Sequence, residues 1–427
     1  MMSLAKNFSG FIKDICFDLG DIETTCGEIT KKLNSFYYGL SSDSDSHLYY
    51  VGSIGRQTAV KNTSDVDIIF NLPREVYEKY DSYETNGQSA LLQDVKEVLK
   101  ERYSKTQIRG DGQVVVIEFD KFTVELVPAF LLQDNTFVYP DTHDGGSWKI
   151  TDPFSEQKAT AYGNDKSNGI FVDVCRMIRI WKNEIGAIFG GLLIDTLCYK
   201  LFNTNDFYQK CGFEDYYSIL IDVFEYLKDL NKEQTYWFAL GSNQKVYSKD
   251  NTFISKAGKA YNSLTSASTT EEKLDVLYEL FGKRFPHENK RNMYSDYNNT
   301  EEFIEDKFPV DIRYGLSIDC TVSQNGFREF SLRKMLLQKI ILRHNKQLTF
   351  SIERCDVPKP YDIYWKVRNV GPIAKQKNMI RGQIVKTNKD THNEHTNFQG
   401  PHFVECYIVK NSVCVAKDRI EVPIGSC

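Results

Sequence analysis

The 10 cysteines of this chain form no CxxC pair and no other recognisable zinc-ligand spacing. Single scattered cysteines exclude a disulfide framework and a zinc ribbon, and they fit reduced thiols in a cytoplasm. No uninterrupted apolar run reaches the roughly 20 residues that a bilayer needs, so no membrane role is expected. Met1 to Gly20 carries Lys6, Lys13 and Asp14 and lacks a long apolar stretch, so no secretory signal is expected there. Basic residues are not in excess either. The formal net charge is −5, so no global positive field draws the chain to nucleic acid, which argues against a nucleic-acid activator. Internal repeats and low-complexity tracts are missing. His392, His395, His402 and Cys406 match no metal-ligand set.

What is present is the composition of a globular protein of two or three domains: 427 residues, 41% apolar and 26% charged. Phe11, Ile12, Ile15 and Leu19, then Ile29, Leu33 and Phe36, recur at helical spacing, which predicts helix from Leu4 to Tyr38. Strands are predicted at His47–Gly52 and Ser64–Leu72. A helix follows at Ser89–Tyr103, and a hairpin joins Gln113–Phe119 to Phe122–Val127. Helices are then predicted at Gly169–Glu184, Gly191–Phe202, Tyr216–Leu230 and Ser255–Phe281. Residues His287 to Glu302 are polar and nearly devoid of aliphatics, as in a linker. Beyond them FSIERC, IYWKVRNVG, IRGQIV, HFVECYIVK and SVCVAKDRIEVPI read as strands, with one helix at Phe330–Ile341. The fold class is α+β. Residues 1–165 form a mixed core with N-terminal helices, 166–285 a helical lobe, 286–302 a linker and 303–427 a β-rich domain.

The segment VGSIGRQTAVKNTSDVDIIFNLP, Val51 to Pro73, carries most of the functional information. Gly52-Ser53 forms a tight turn; glycine lets a backbone approach phosphate oxygens, and turn N–H groups make an anion-binding concavity. Asp65 and Asp67 alternate with Val66 and Ile68, so both carboxylates fall on one face of a strand. Like charges side by side repel unless a cation lies between them. FTVELVPAF adds Glu125 in a second apolar strand ending at Pro128. Three carboxylates on adjacent strand faces are what a two-metal phosphoryl-transfer site requires, and hard oxygen ligands suit Mg²⁺ or Mn²⁺. The bland alternative for Asp65 and Asp67 is a solvated strand edge, which the apolar continuation Ile68-Ile69-Phe70 disfavours.

GSIGRQTAV, SDVDIIFNLP and VELVPAF resemble the bacterial CD-NTases, relatives of cyclic GMP–AMP synthase and oligoadenylate synthase on the polymerase-β-like nucleotidyltransferase fold. YDIYWKVRNVG, RGQIV and GPHFVECYIV resemble the adenylyl/guanylyl cyclase and SMODS C-terminal sensor domain. The two resemblances cover roughly residues 40–285 and 303–427. They imply an Mg²⁺-dependent enzyme that joins ATP and GTP into a cyclic di- or oligonucleotide, cyclic GMP–AMP first, for a nucleotide-gated effector in anti-phage defence. The missing zinc ribbon sets the chain apart from the animal DNA sensor.

The same resemblance implies the site residues. Asp65, Asp67 and Glu125 hold the metals, and Glu125 accepts the proton of the attacking hydroxyl. Many relatives have Asp at the position of Glu125. Gly52 and Ser53 hold the triphosphate, with Arg56 and Thr58 adding phosphate contacts. Arg179 falls where the family has a triphosphate-binding lysine, and Lys182 extends that basic stripe; a solvated helix face is the alternative for Arg176 and Lys182. A phosphate-touching serine of the family is replaced by Gly190 and Gly191. Tyr247 is the base-stacking residue, against a plain surface tyrosine. The resemblance also extends to Gly425-Ser426-Cys427 an expectation of attachment to targets by a ubiquitin-like transfer apparatus; a frayed terminus is the alternative. The rivals in function are linear nucleotidyl transfer to RNA or protein, and a catalytically quiet nucleotide sensor working through residues 303–427.

Overall fold

The computed structural model describes residues 3–204, 207–287, 301–324, 326, 328–369 and 372–425. The chain divides into two compact units. One comprises residues 11–179 and 190–249; the other comprises residues 1–10, 180–189 and 250–427.

The first unit is built on a mixed sheet. Its strands are β1 (Leu48–Tyr50), β2 (Asp65–Asn71), β3 (Gln107–Asp111), β4 (Val114–Glu118), β5 (Thr123–Leu131), β6 (Phe137–Asp141) and β7 (Ser147–Thr151), in the order β1-β2-β5-β4-β3 with β6 and β7 continuing from β5. Only β2 and β5 run parallel; the other pairs of this sheet are antiparallel. β5 does not stop at Pro128, as the sequence predicts, but runs on to Leu131. Pro128, which cannot donate to a ladder, falls where the neighbour of β5 changes from β4 to β6.

Strand alternation sorts the two faces. Val66, Ile68, Phe70, Val124 and Leu126 join one core with Ile22, Cys26, Ile29 and Leu33 of α2 (Asp21–Tyr38) and Leu91, Leu92, Val95, Val98 and Leu99 of α5 (Gly87–Arg102). These side chains are almost fully buried, each worth about 1.5–3 kcal/mol for a Val, Leu, Ile or Phe. On the opposite face Ile69 packs with Val51, Ala129 and Phe137 in a smaller cluster. Asp65, Asp67 and Glu125 share that second face.

Two long predicted helices are interrupted. Leu4–Tyr38 breaks into α1 (Leu4–Ile15) and α2, because Cys16 bridges to Val60 and Gly20 adopts φ +41°. Ser255–Phe281 becomes α10 (Thr252–Ser266) and α11 (Thr270–Phe281). Thr269 and Glu272 close a capping box at the break, with Glu272 N–H donating to Thr269 Oγ1 (3.2 Å) and Thr269 N–H to Glu272 Oε2 (2.9 Å). The expected helical lobe is also divided: α8 (Gly191–Phe202) and α9 (Tyr216–Lys228) belong with the mixed sheet, and α10 and α11 with the C-terminal strands.

The second unit contains two antiparallel four-stranded sheets around one apolar core that includes Trp365, Phe350, Ile408 and Ile420. The predicted helix Phe330–Ile341 shrinks to Leu332–Leu337. Ser331 caps it by accepting from Lys334 N–H, and Phe330-Ser331 pairs as a short strand. Most of the expected linker, residues 288–300, and Ser426 and Cys427 lie outside the described residues. Among the described residues no helix is long and apolar enough to cross a membrane.

Candidate active site

The parallel register of β2 on β5 sets Asp65 beside Thr123 and Asp67 beside Glu125. Register partners on neighbouring strands point to the same side of a sheet. The three carboxylates predicted from the sequence therefore converge on one face, all half-buried. The apolar residues between them lock β2 and β5 from the other side, so a one-residue slip, which would turn the acids into the core, is strongly disfavoured.

The Gly-Ser turn lies against this acidic face. Val51 N–H donates to the Asp67 carbonyl (3.0 Å), which ties the entry of the turn to β2. Gly52 then adopts φ +59°, and a methyl group on its Cα would fall inside the Asp67 carboxylate. Gly52 is thus required twice, for its backbone angle and for close approach. Gly52–Gly55 forms a single helical turn, α3. The Ser53 carbonyl accepts from Thr58 and Ala59 N–H (2.9 and 3.1 Å), which closes the loop behind it. Gly52→Ala is expected to displace Asp67 and to destabilise the chain by about 1–3 kcal/mol. Thermal melting checks this effect.

Arg56, Thr58 and Arg179, expected at phosphate, are used otherwise. All three are buried around one carboxylate, Asp195 of α8. Arg56 Nε donates to Asp195 Oδ2 (2.9 Å), Thr58 Oγ1 to the same oxygen (2.9 Å), and Arg179 donates through Nη1 to Oδ1 (2.6 Å) and Nη2 to Oδ2 (2.8 Å). Arg56 Nη1 also reaches Glu156 Oε2 (3.1 Å), and Arg179 Nη2 reaches the Gly191 carbonyl (3.0 Å). The physical reason is burial: a charge out of water needs a partner, and Asp195 supplies it for both guanidinium groups. Burial pushes the Asp195 carboxyl up, but the charges and hydrogen bonds of Arg179 and Arg56 outweigh that and hold it at about 2. Burial also raises the Glu156 carboxyl, with Arg56 and Ser242 pulling it back only in part. The signal for Asp195 in the sequence is the lone acid in the apolar stretch GLLIDTLCYKLF.

Lys182 is likewise displaced from the expected site. It belongs to the second unit, where its ammonium donates to Asp311 Oδ1 (2.9 Å) and the Ile312 carbonyl (3.1 Å). Arg176, on the same helix α7 (Ile170–Glu184), donates to the carbonyls of Ala59 and Gln57 instead of pointing to solvent. Tyr247 ends the hairpin of β8 (Tyr236–Phe238) and β9 (Lys245–Tyr247). It is 66% exposed, with its ring 5.9 Å from that of Tyr236. Among the described residues, Glu271, Asp275 and His287 of the other unit bring donor atoms within 4.8 Å of one another, and there His287 Nε2 is already 3.2 Å from Asp275 Oδ1.

Residues 2–164 match the model of the Second Messenger Oligonucleotide or Dinucleotide Synthetase (SMODS) domain, and residues 298–425 that of the adenylyl/guanylyl and SMODS C-terminal sensor domain. The chain belongs to the bacterial CD-NTase family. A Bacillus cereus (strain VD146) protein described as a probable cyclic nucleotide synthase is 21% identical over 207 residues, covering 42% of this CD-NTase and 60% of that relative. The match thus spans less than two thirds of the relative's length. The E. coli MS115-1 CdnC structures, one in complex with a HORMA protein and one with ATP, are 16% identical. Each superposes with a TM-score of 0.50 over 66% of this chain and 98% of its own. That likeness establishes a shared fold for the CD-NTase.

Proposed function

We propose that this CD-NTase condenses nucleoside triphosphates into a cyclic di- or oligonucleotide with release of pyrophosphate. The observation that carries the proposal is the pairing of Asp67 with Glu125, two residues on from Asp65, on the face that Gly52 touches. Three carboxylates fit a hard divalent cation such as Mg²⁺ or Mn²⁺. A cation held there lowers the pKa of an attacking ribose hydroxyl and offsets charge on the α-phosphate. Asp65 and Asp67 serve as ligands, and Glu125 accepts the proton of the hydroxyl. The Gly52-Ser53 turn holds the triphosphate in line through its backbone N–H groups. ATP as a substrate is supported by the ATP-containing structure of CdnC. GTP as the second substrate, cyclic GMP–AMP as the product, and a role in anti-phage signalling through a nucleotide-gated effector rest on the family resemblance. So does attachment through the C-terminus.

The test is incubation of the full chain with labelled ATP, GTP, CTP and UTP and Mg²⁺ or Mn²⁺, followed by phosphatase and separation of products. A phosphatase-resistant product supports cyclisation and names its bases. A product that phosphatase trims identifies linear transfer, and no product from any metal and nucleotide combination overturns synthesis by the isolated chain. Tyr247→Ala checks the base platform. Loss of one base–aromatic stack costs about 1–3 kcal/mol, so KM for the stacked nucleotide is expected to rise at least ~5-fold. An exposed ring contributes little to folding, so the melting temperature stays unchanged.

A further inference from the structure

The buried acid Asp195 accepts from Arg56 and Thr58, and these residues lie three and five positions beyond Ser53. Thr58 N–H in turn closes onto the Ser53 carbonyl at 2.9 Å. The exit of the Gly-Ser turn is therefore clamped to α8 by one carboxylate, which Arg179 also holds with a hydrogen bond to each of its oxygens. A second arm leaves the same cluster. Arg56 donates to Glu156, and Glu156 Oε1 accepts from Ser242 Oγ (3.2 Å). Ser242 lies in the turn joining β8 to β9. That turn is also held by Leu240 N–H on Thr196 Oγ1 (3.3 Å), next to Asp195, and Gly241, at φ +71°, lies against the Ser155 carbonyl. One buried network therefore reaches both the turn assigned to the triphosphate and the hairpin that carries Tyr247.

We infer that Asp195 and Glu156 are positioning residues: Asp195 sets the triphosphate turn, and Glu156 sets the base-stacking hairpin relative to it. The inference rests on the reading of the site proposed above. Neither acid needs to touch the nucleotide. Their hydrogen bonds fix where the two binding elements stand, and a small misplacement of a binding element is costly in an aligned reaction.

Thr58→Val tests the first arm with little change in shape, because it deletes one hydroxyl and leaves the two guanidinium groups paired with Asp195. Titration calorimetry with a non-hydrolysable ATP analogue and Mg²⁺, and separately with adenosine, is run on the full chain. Thr58→Val is expected to weaken the analogue by about tenfold, to leave adenosine unchanged, and to be rescued by Thr58→Ser. Glu156→Gln is expected to weaken both ligands. If Thr58→Val binds the analogue like wild type, or loses both ligands equally, Asp195 does not position the turn. Unchanged adenosine binding in folded Glu156→Gln removes the hairpin arm. If the wild type binds neither analogue nor adenosine, the proposed site itself fails and this inference with it.

Discussion

The double variant Asp65→Ala, Asp67→Ala is expected to lose nucleotide condensation by at least ~10³-fold while its melting temperature without divalent metal stays the same or rises. The two halves of that result come from one arrangement. Asp65, Asp67 and Glu125 stand half-buried on one face of β2 and β5, where neighbouring like charges repel. Removing two of them relieves repulsion and leaves Val66, Ile68 and Phe70 in their core. The same removal strips the oxygen ligands on which charge stabilisation of phosphoryl transfer depends, which is worth several kcal/mol. Metal supplies an independent readout. A cation that binds only the folded chain raises stability by RT ln(1 + [L]/Kd), about 2.7 kcal/mol at a hundredfold excess over Kd. Mg²⁺ or Mn²⁺ should therefore raise the melting temperature of the wild type and not of the double variant. Chelation should abolish both the shift and the activity. A variant that still forms product, or that still gains stability from metal as the wild type does, would refute the assignment of these carboxylates.

Much of this site was legible in the sequence because its logic is local. Alternation of Asp65, Val66, Asp67 and Ile68 is enough to define two faces, and VELVPAF repeats the pattern one strand away. The partners of the basic residues are not local. Arg56 meets Asp195 across 139 positions and Glu156 across 100, and no periodicity links them. A conspicuous arginine beside a phosphate-type turn reads equally well as a phosphate ligand or as half of a buried pair, and only three-dimensional placement separates the two. Other differences are matters of length. β3, QIRGD, is polar and short, and β6, FVYPD, contains a proline, so neither shows a clear strand pattern although both join the sheet. Helical spacing alone runs through Thr269, where the T-x-x-E capping box starts α11 and breaks the expected helix in two. The uneven division of the helices between the two units depends on tertiary packing, which a run of helical spacing does not encode.

Asp195→Ala is expected to be the most destabilising single change in the nucleotidyltransferase unit. The carboxylate is fully buried and pairs with two buried guanidinium groups, one of which, Arg56, it shares with Glu156. Removing one partner of a buried ionic cluster strands the remaining charge, at a cost of about 3–5 kcal/mol. For a unit of this size that corresponds to a fall of roughly 10 °C in melting temperature. Replacing the cluster as a whole is a different operation: buried ion pairs exchanged for packed apolar groups are often neutral in stability. A combined Arg56→Met, Glu156→Gln, Asp195→Leu, Arg179→Met chain, which removes both buried acids with their two guanidinium partners, is therefore expected to recover much of the lost stability without recovering ATP binding.

The acid dependence of the Asp195 variants has a definite sign. The folded-state carboxyl sits at about 2, below its ordinary 3.8, so its contribution is fully present above pH 4 and is lost as pH falls toward 2. Nearly two pKa units correspond to roughly 2 kcal/mol. Glu156 has the opposite sign, because its raised carboxyl costs stability above its folded-state pKa and returns it as pH falls. Because the Asp195 charge also helps to raise the Glu156 carboxyl, the first effect is isolated by comparing Glu156→Gln with Glu156→Gln, Asp195→Asn by denaturant unfolding from pH 7 to pH 3. The stability gap between the two should be constant from pH 7 to pH 5 and should narrow below pH 4. A gap that stayed constant to pH 3, or that opened as pH fell, would show that Arg56 and Arg179 do not hold Asp195 ionised, and the clamp on the Gly-Ser turn would lose its electrostatic basis.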